Sequence, residues 1–577
     1  MKASDYIVEY LINKGITDVF GYPGGMVTHL MDSFSKYPDK ITAHVTYHEQ
    51  GAAFAACGYA QASGKVGVAY ATSGPGATNL ITGICNAYYD SIPTLFITGQ
   101  VNTFESKGNL GVRQRGFQET DIVSMVQPIT KYAIRVEEAD KLKWYLDYAF
   151  MAANEGRKGP VLLDIPMNIF RADIAPENMK GYEEDTKQSV RCVEDESAYE
   201  VLVDALQKAE KPVLIVGNGV KIAGKVAALR KLLSRCRIPV VTTMLAVDVV
   251  GDQSYGFIGA YGTRCANFIV AKSDLVITLG ARLDVRQVGA QRNRFAPDST
   301  LIRVDIDEGE LQYKVHDNEI PICADLGNVI DYLDKQLPDR EYADWKVICD
   351  YLKECLQGMD DRTPNRIMTR LSDHLADKAI ITTDVGQNQV WVAQSLEIKN
   401  QQRVFFSGGH GAMGYSLPAS IGCAIATGDV VYSFNGDGGI QMNIQELQTI
   451  VREQLPIKII LVNNVALGMI RHFQEMYFED NYYQTVPAGG YTVPDFKGIA
   501  QAYKIPYHCI ESVDDIDEKV LTMSGPEFLE IKLDEPTYVF PKLEFGKPNQ
   551  DQEPLMDRDL FEKLMKLDLD NIKELKG

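Results

Sequence analysis

Two groups in this chain could act together on a diphosphate and a metal ion, and a third is a carboxyl group placed at a helix start. Gly436-Asp437-Gly438 offers a carboxylate between two residues without side chains, Asn464 an amide oxygen, and Glu49 a carboxyl group at the head of an Ala- and Gly-rich run. Carboxylate and amide oxygens are hard ligands suited to Mg2+, which takes few protein oxygens and completes its octahedron with phosphate oxygens and water. The elements that must position them can be read from the same stretches. An apolar run at 430–434 predicts a buried parallel strand, and glycines at its end let a ligand approach the backbone. A helix expected to begin near Asn443 would bring unpaired N–H groups and a positive dipole end to a diphosphate. A second apolar run, 457–462, delivers Asn464 at a carboxyl end, where open α/β sheets bind ligands. Glu49 falls at the start of a helix whose small residues permit close packing.

Either motif alone reads as an ordinary turn. One at each end of a strand-helix-strand unit, they resemble the signature of thiamine diphosphate (ThDP) enzymes, and the surrounding words are similar to the acetolactate synthase family from about Tyr6 to about Pro541. The resemblance implies that Glu49 is the catalytic glutamate, hydrogen-bonded to the aminopyrimidine ring of ThDP and sharing its proton. It places Gly25, in the loop Gly24-Gly25-Met26, beside the reacting carbon, and Phe117 and Gln118 of Phe117-Gln118-Glu119 in the active site. It assigns cofactor contacts to Gln387, Asn388, Gly411, Met413, Gly436, Gly438, Gly439 and Met469, with Met413 supporting bent ThDP. The Mg2+ ligands become Asp437, Asn464 and the carbonyl of Ala466. Ser73-Gly74-Pro75-Gly76 lacks the Lys-Ser/Thr ending of a nucleotide P-loop and reads as a tight turn near the cofactor.

In the family the middle of the chain holds FAD, and the matching positions are Gly217, Gly219, Gly262, Thr263, Arg282, Arg286, Asp305, Ile306 and Asp325, with Arg157 added from the first domain. Arginines there can neutralise a diphosphate, and a carboxylate at a strand end suits ribose hydroxyls. The chain departs from the family pattern at several points. Tyr261 stands for a His, Val285 for an Asp, Asn388 for a His, Met167-Asn168 for a Lys-Asp pair, and Phe473 for a Trp that shapes the acceptor pocket. Arg113 and Arg115 precede the Phe-Gln-Glu tripeptide in place of the usual polar lead. His472 is expected at the surface or in a channel.

The bulk sequence sets outer limits. With 577 residues, 45% of them hydrophobic, the chain should hold several globular domains, and a formal charge of −20 without basic blocks argues against a nucleic-acid partner. No basic leader precedes an apolar core, no run nears the ~20 apolar residues of a membrane span, and ten cysteines show no C-x-x-C pair. A cytoplasmic protein without membrane contact is expected. The fold class is α/β with three doubly wound parallel-sheet domains: pyrimidine-binding (1–170), central FAD-binding or Rossmann-like (190–340) and diphosphate- and Mg-binding (360–545). A linker is read at about 171–189, and 546–577 suggests a C-terminal arm able to close over the site. The function this implies is decarboxylation of pyruvate and ligation of its hydroxyethyl unit to a second 2-oxo acid. A homodimer or homotetramer is expected, and a regulatory small subunit is a further partner. Three alternatives stand beside it: a ThDP carboligase or decarboxylase with another acceptor such as a ketosugar, a flavoenzyme of the pyruvate oxidase type, and a catalytically silent paralogue.

Overall fold

The computed structural model describes residues 1–183, 196–399, 401–517, 521–522 and 524–576, so the linker read at 171–189 lies partly outside the described residues. Among the described residues, eighteen strands form three six-stranded sheets. The first sheet comprises β1 (Asp18–Gly21), β2 (Thr42–Val45), β3 (Gly67–Ala71), β4 (Thr94–Gln100), β5 (Tyr132–Arg135) and β6 (Pro160–Pro166). The second comprises β7 (Pro212–Val216), β8 (Val240–Thr242), β9 (Ser254–Phe257), β10 (Leu275–Leu279), β11 (Thr300–Asp305) and β12 (Ile320–Cys323). The third comprises β13 (Ile380–Thr383), β14 (Arg403–Phe406), β15 (Val431–Gly436), β16 (Ile457–Asn463), β17 (Tyr507–Ile510) and β18 (Glu527–Lys532). Central strands such as β3, β4, β6, β7 and β16 are buried along their whole length, as expected of parallel strands covered by helices on both faces.

The sheets run β2-β1-β3-β4-β6-β5, β12-β11-β10-β7-β8-β9 and β14-β13-β15-β16-β18-β17. Counted from its own first strand, the third sheet repeats the order of the first. Each therefore reverses its winding beside its first strand, between β1 and β3 and between β13 and β15, and such switch points are where doubly wound sheets bind ligands. Gly436-Asp437 leaves the carboxyl end of β15 at one of them.

The described residues fall into two compact units. Residues 1–183, Lys378–Gln389 and Phe405–Glu535 form one, and the remainder, with the tail from Pro536, forms the other. Within the first unit the helices Glu49–Ser63 and Ser416–Thr427 cross at backbone contact: a Cβ at Gly422 would lie 1.8 Å from the carbonyl oxygen of Ala55. Gly422→Ala should therefore destabilise the protein by about 3 kcal/mol, the upper part of the usual overpacking range, as read by urea denaturation. The tail, read as a C-terminal arm, packs within the second unit. Met556, Leu564, Leu567 and Ile572 join the core of the second unit, and Phe561 packs edge-on against Phe268. The helix that opens at Thr363 also belongs to that unit.

Candidate active site

At the carboxyl end of β15 the helix starts at once, Asp437–Ile440, and not near Asn443, so Asp437 itself occupies the first helical position. Asn464 follows β16, and Val465 has φ +51°, a left-handed conformation that a β-branched residue rarely adopts. That turn swings Ala466 N–H towards both proposed metal ligands: it stands 3.3 Å from Asp437 Oδ2 and 3.2 Å from Asn464 Oδ1. Two oxygens of the right chemistry thus accept from one backbone N–H and lie close to each other. Tyr491 Oη donates to Asp437 Oδ1 at 2.9 Å, and Asn464 Nδ2 donates to Gln387 Oε1 at 2.9 Å, which turns the amide oxygen to the opposite side. Burial pushes the Asp437 carboxyl up to about 6, although the hydroxyl of Tyr491 and the N–H groups of Ala466, Gly438 and Val465 oppose it. A dication would supply the missing positive charge and favour the carboxylate.

The cradle beside this pair is narrow. A Cβ at Gly438 would lie 2.8 Å from Leu467 Cδ2, 3.2 Å from Tyr491 Oη and 3.3 Å from Met413 Cε, so glycine keeps the approach open. Gly414 N–H, next to Met413, donates to both oxygens of Asp384 at 2.9 and 3.0 Å; this wholly buried carboxyl is pushed up to about 7 by burial. Asn388 turns its Nδ2 to the carbonyl of Asp384 at 3.0 Å, bonding the backbone at the strand ends. Gly411 has φ +65° in the same loop, and Met469 lies in the helix Gly468–Tyr477 with Phe473, which is half exposed and packs on Tyr477. His472, expected at the surface or in a channel, is buried. The donor set and the open cradle fit Mg2+ with a diphosphate: Asp437 and Asn464 would hold the metal, and Gly436 and Gly438 would face the phosphates, whereas Gly439 packs its Cα against the Asp384 carboxyl.

Glu49 opens the helix Glu49–Ser63, as the sequence predicts. It is 8% exposed, its Oε2 accepts from Asn79 Nδ2 at 2.9 Å, and a Cβ at Gly76 would lie 3.2 Å from its Oε1. The expected tight turn is confined to Ser73-Gly74: Gly76 already lies in the short helix Pro75–Asn79, which follows β3 at the switch point of the first sheet. A buried carboxyl with one amide partner is suited to exchanging a proton with a ligand, unlike a solvated first-turn glutamate. Gly25 has open space where a Cβ would stand, Gln118 has φ +62°, and Phe117 is 79% exposed. Their loop hangs on Glu119, which accepts from Ser106 Oγ at 2.7 Å and from the N–H groups of Lys107, Arg115 and Gly116 at 2.8, 3.1 and 3.2 Å. Arg115 Nη1 is engaged by the Ser106 carbonyl, and Asn168, at the Lys-Asp position of the family, bonds Thr103.

The middle-domain positions lie at carboxyl ends of the second sheet. Gly217 and Gly219 follow β7 and Arg282 follows β10, the two strands at that sheet's switch point; Asp305 and Ile306 end β11, and Asp325 follows β12. A Cβ at Gly217 would lie 2.0 Å from the Gly280 carbonyl, so this glycine serves a close contact between the two turns. Arg282 pairs with Asp284 at 2.8 Å, Asp325 caps the helix Leu326–Gln336, and Thr263, after Gly262, caps Arg264–Lys272. The guanidinium of Arg286 lies over the ring of Tyr261, 5.5 Å from its centre. These residues fit a dinucleotide by their place on the sheet. In the first unit, Arg157 Nε donates to Ser91 Oγ at 2.9 Å.

Sequence reasoning missed Tyr491 and Asp384 as partners of the site residues. Tyr491→Phe should weaken Mg2+ binding about 10-fold, the lower end for loss of an outer partner, as measured by Mg2+ titration in the presence of ThDP.

Comparison with known proteins agrees with the three-domain α/β fold. Residues 1–125 match the N-terminal TPP binding domain of thiamine pyrophosphate enzymes, 199–333 their central domain and 384–531 their C-terminal TPP binding domain. The three matches define a ThDP-dependent enzyme. The chain is 37% identical over 565 residues to the acetolactate synthase isozyme 2 large subunit of Escherichia coli (strain K12), covering 96% of this chain and 99% of that one. It is 35% identical over 562 residues to the acetolactate synthase large subunit of Lactococcus lactis subsp. lactis (strain IL1403), covering 94% of each. With the chloroplastic acetolactate synthase 2 of Nicotiana tabacum it shares 34% over 572 residues, 94% of this chain and 84% of that one. The chain belongs to the acetolactate synthase large-subunit family.

Proposed function

We propose that this chain is the catalytic subunit of an acetolactate synthase that, with ThDP and Mg2+, decarboxylates pyruvate and joins the remaining two-carbon unit to a second 2-oxo acid, on the route to valine and isoleucine. The observation that carries the reading is the convergence of Asp437 Oδ2 and Asn464 Oδ1 on Ala466 N–H beside the Gly438 cradle at a switch point, with a buried glutamate, Glu49, at the head of its helix in the matching sheet. Bound ThDP would supply a nucleophilic carbon for the keto group and a cationic thiazolium ring able to take up the electron pair released with carbon dioxide. Asp437, Asn464 and the carbonyl of Ala466 hold the metal. Glu49 exchanges a proton at Oε1 with the pyrimidine ring, while Asn79 fixes Oε2. Phe117 and Gln118 present an apolar face and an amide to the 2-oxo acids, and Gly25 leaves room beside them for a backbone N–H to meet developing negative charge.

Each of the two matching sheets carries half of this machinery, and exposed Phe117 is left for another surface to cover. We therefore read the active unit as a homodimer, or a tetramer of such pairs, with each site completed by two copies. The large-subunit names of the relatives support a separate small subunit as partner. FAD in the middle domain is supported by the placement of Gly217 and Arg282 at a switch point, with Asp305 at the end of the next strand, and a cytoplasmic setting by the sequence; among the described residues no helix is long and apolar enough to cross a membrane.

The test is product analysis of the purified protein with ThDP, Mg2+, FAD and pyruvate, with and without 2-oxobutyrate. Acetolactate, joined by 2-aceto-2-hydroxybutyrate when 2-oxobutyrate is present, is the expected outcome, with the flavin spectrum unchanged. Carbon dioxide release without either product would mean a different acceptor, and stoichiometric flavin reduction would mean an oxidase.

A further inference from the structure

Glu446 lies in the segment after the diphosphate-facing helix and has no counterpart in the reading so far. It is completely buried, yet one of its two oxygens is taken by a partner in the first sheet's domain. Its Oε1 accepts the backbone N–H of Tyr47 at 2.8 Å, two residues before Glu49, and Thr449 Oγ1 donates to its Oε2 at 2.8 Å. A Cβ at Gly51 would come within 2.6 Å of Oε1, so the first turn of the Glu49–Ser63 helix rests directly on this carboxylate. Neighbouring groups extend the clasp. Asn443 Nδ2 donates to Gln50 Oε1 at 3.0 Å and to the Gly414 carbonyl at 2.8 Å, and Arg452 Nη2 donates to the Val45 carbonyl at 2.5 Å with its guanidinium over the Tyr47 ring. The helix supplies only a local cap of its own, Gln50 N–H to His48 Nδ1 at 3.0 Å.

A carboxylate is expensive to bury and is retained where it fixes something. Here it fixes the backbone on both sides of His48, which sets the position and direction from which the Glu49 side chain leaves the helix. We propose that Glu446 is a positioning residue for Glu49: through Tyr47 N–H and the contact with Gly51 it holds the catalytic carboxyl in register with the site. The inference rests on the reading of Glu49 as the proton-exchanging residue.

The test compares Glu446→Gln, Gly51→Ala and Glu49→Gln in the full-length protein with ThDP and Mg2+. Glutamine keeps the volume of Glu446 but removes the negative charge and makes the Thr449 hydroxyl turn to accept from the amide nitrogen, weakening the hold on Tyr47 N–H, and alanine at 51 pushes the carboxylate away. Both variants should lose about 10- to 100-fold in kcat for acetolactate, the scale of a small misplacement at a reacting group, with KM for pyruvate and the dissociation constant for ThDP changed less than about threefold. Without cofactor, hydrogen exchange at the Tyr47 amide should accelerate in Glu446→Gln. An unchanged kcat, or a kcat that falls only together with ThDP affinity and thermal stability, would overturn the proposal and leave Glu446 a packing residue. If Glu446→Gln does not fold, Thr449→Val, which frees Oε2, replaces it, with a fall of about threefold or more in kcat expected and no fall overturning the proposal. Should Glu49→Gln retain full activity, the underlying reading fails. Should Glu49→Gln be inactive while the other two are normal, only this inference fails.

Discussion

Glu49→Gln should lower acetolactate formation by about 10²- to 10⁴-fold, the range associated with a positioned acid-base group, while leaving the fold and ThDP binding intact. The amide keeps the shape of the side chain and can still bond Asn79, so packing at the head of the Glu49–Ser63 helix is preserved. What it cannot do is take or give the proton at Oε1. Steady-state rates set beside ThDP titration separate the two effects. A variant with near-normal turnover would show that the buried carboxyl is structural.

Asp437→Ala should act on the other half of the site and in the opposite way. It removes Oδ2, one of the two oxygens that converge at Ala466, and strands the hydroxyl of Tyr491. Binding of ThDP with Mg2+ should weaken by about 100-fold or more, beyond the usual cost of losing an outer partner, because a direct ligand is lost. Calorimetric titration of ThDP in the presence of Mg2+ reads this, and chelation of Mg2+ should reproduce the loss in the unaltered protein. Equal affinities in the two proteins would contradict the assignment of Asp437.

Much of the architecture was legible because it rests on local pattern. The apolar runs before Gly436 and Asn464 are β15 and β16, and the small-residue run after His48 is a helix beginning at Glu49. The family resemblance, carried by those motifs, extended the reading to three parallel-sheet domains. Other features escaped because they depend on partners distant in sequence. Asn443 and Glu446 have the spacing of a local capping box, yet Glu446 serves Tyr47 across the domain pair. Asp384 looks like a strand-end turn residue, and only the folded chain brings Gly414 N–H to it. Tyr491 lies in a Gly-rich stretch, with nothing nearby to mark it as a partner of Asp437. The helix start at Asp437 was misplaced because three consecutive residues, Asp437-Gly438-Gly439, carry poor helical propensity that the strand end and the buried sheet edge override. The tail offered a signal that was readable: Phe561, Leu564 and Leu567 form an apolar stripe at helical spacing, which suits a packed helix better than a free arm.

The central claim is that one acetolactate-forming site is built from Glu49 of one copy and Asp437 with Asn464 of another. Mixing Glu49→Gln and Asp437→Ala chains, differently tagged and refolded or co-expressed together, tests it most directly. Random pairing makes about half of the dimers mixed, each with one intact and one doubly impaired site, so about a quarter of the unaltered activity should return although neither variant is active alone. Mixed dimers recovered on both tags and devoid of acetolactate formation would contradict the account, because they would place Glu49 and Asp437 of the same chain in one site.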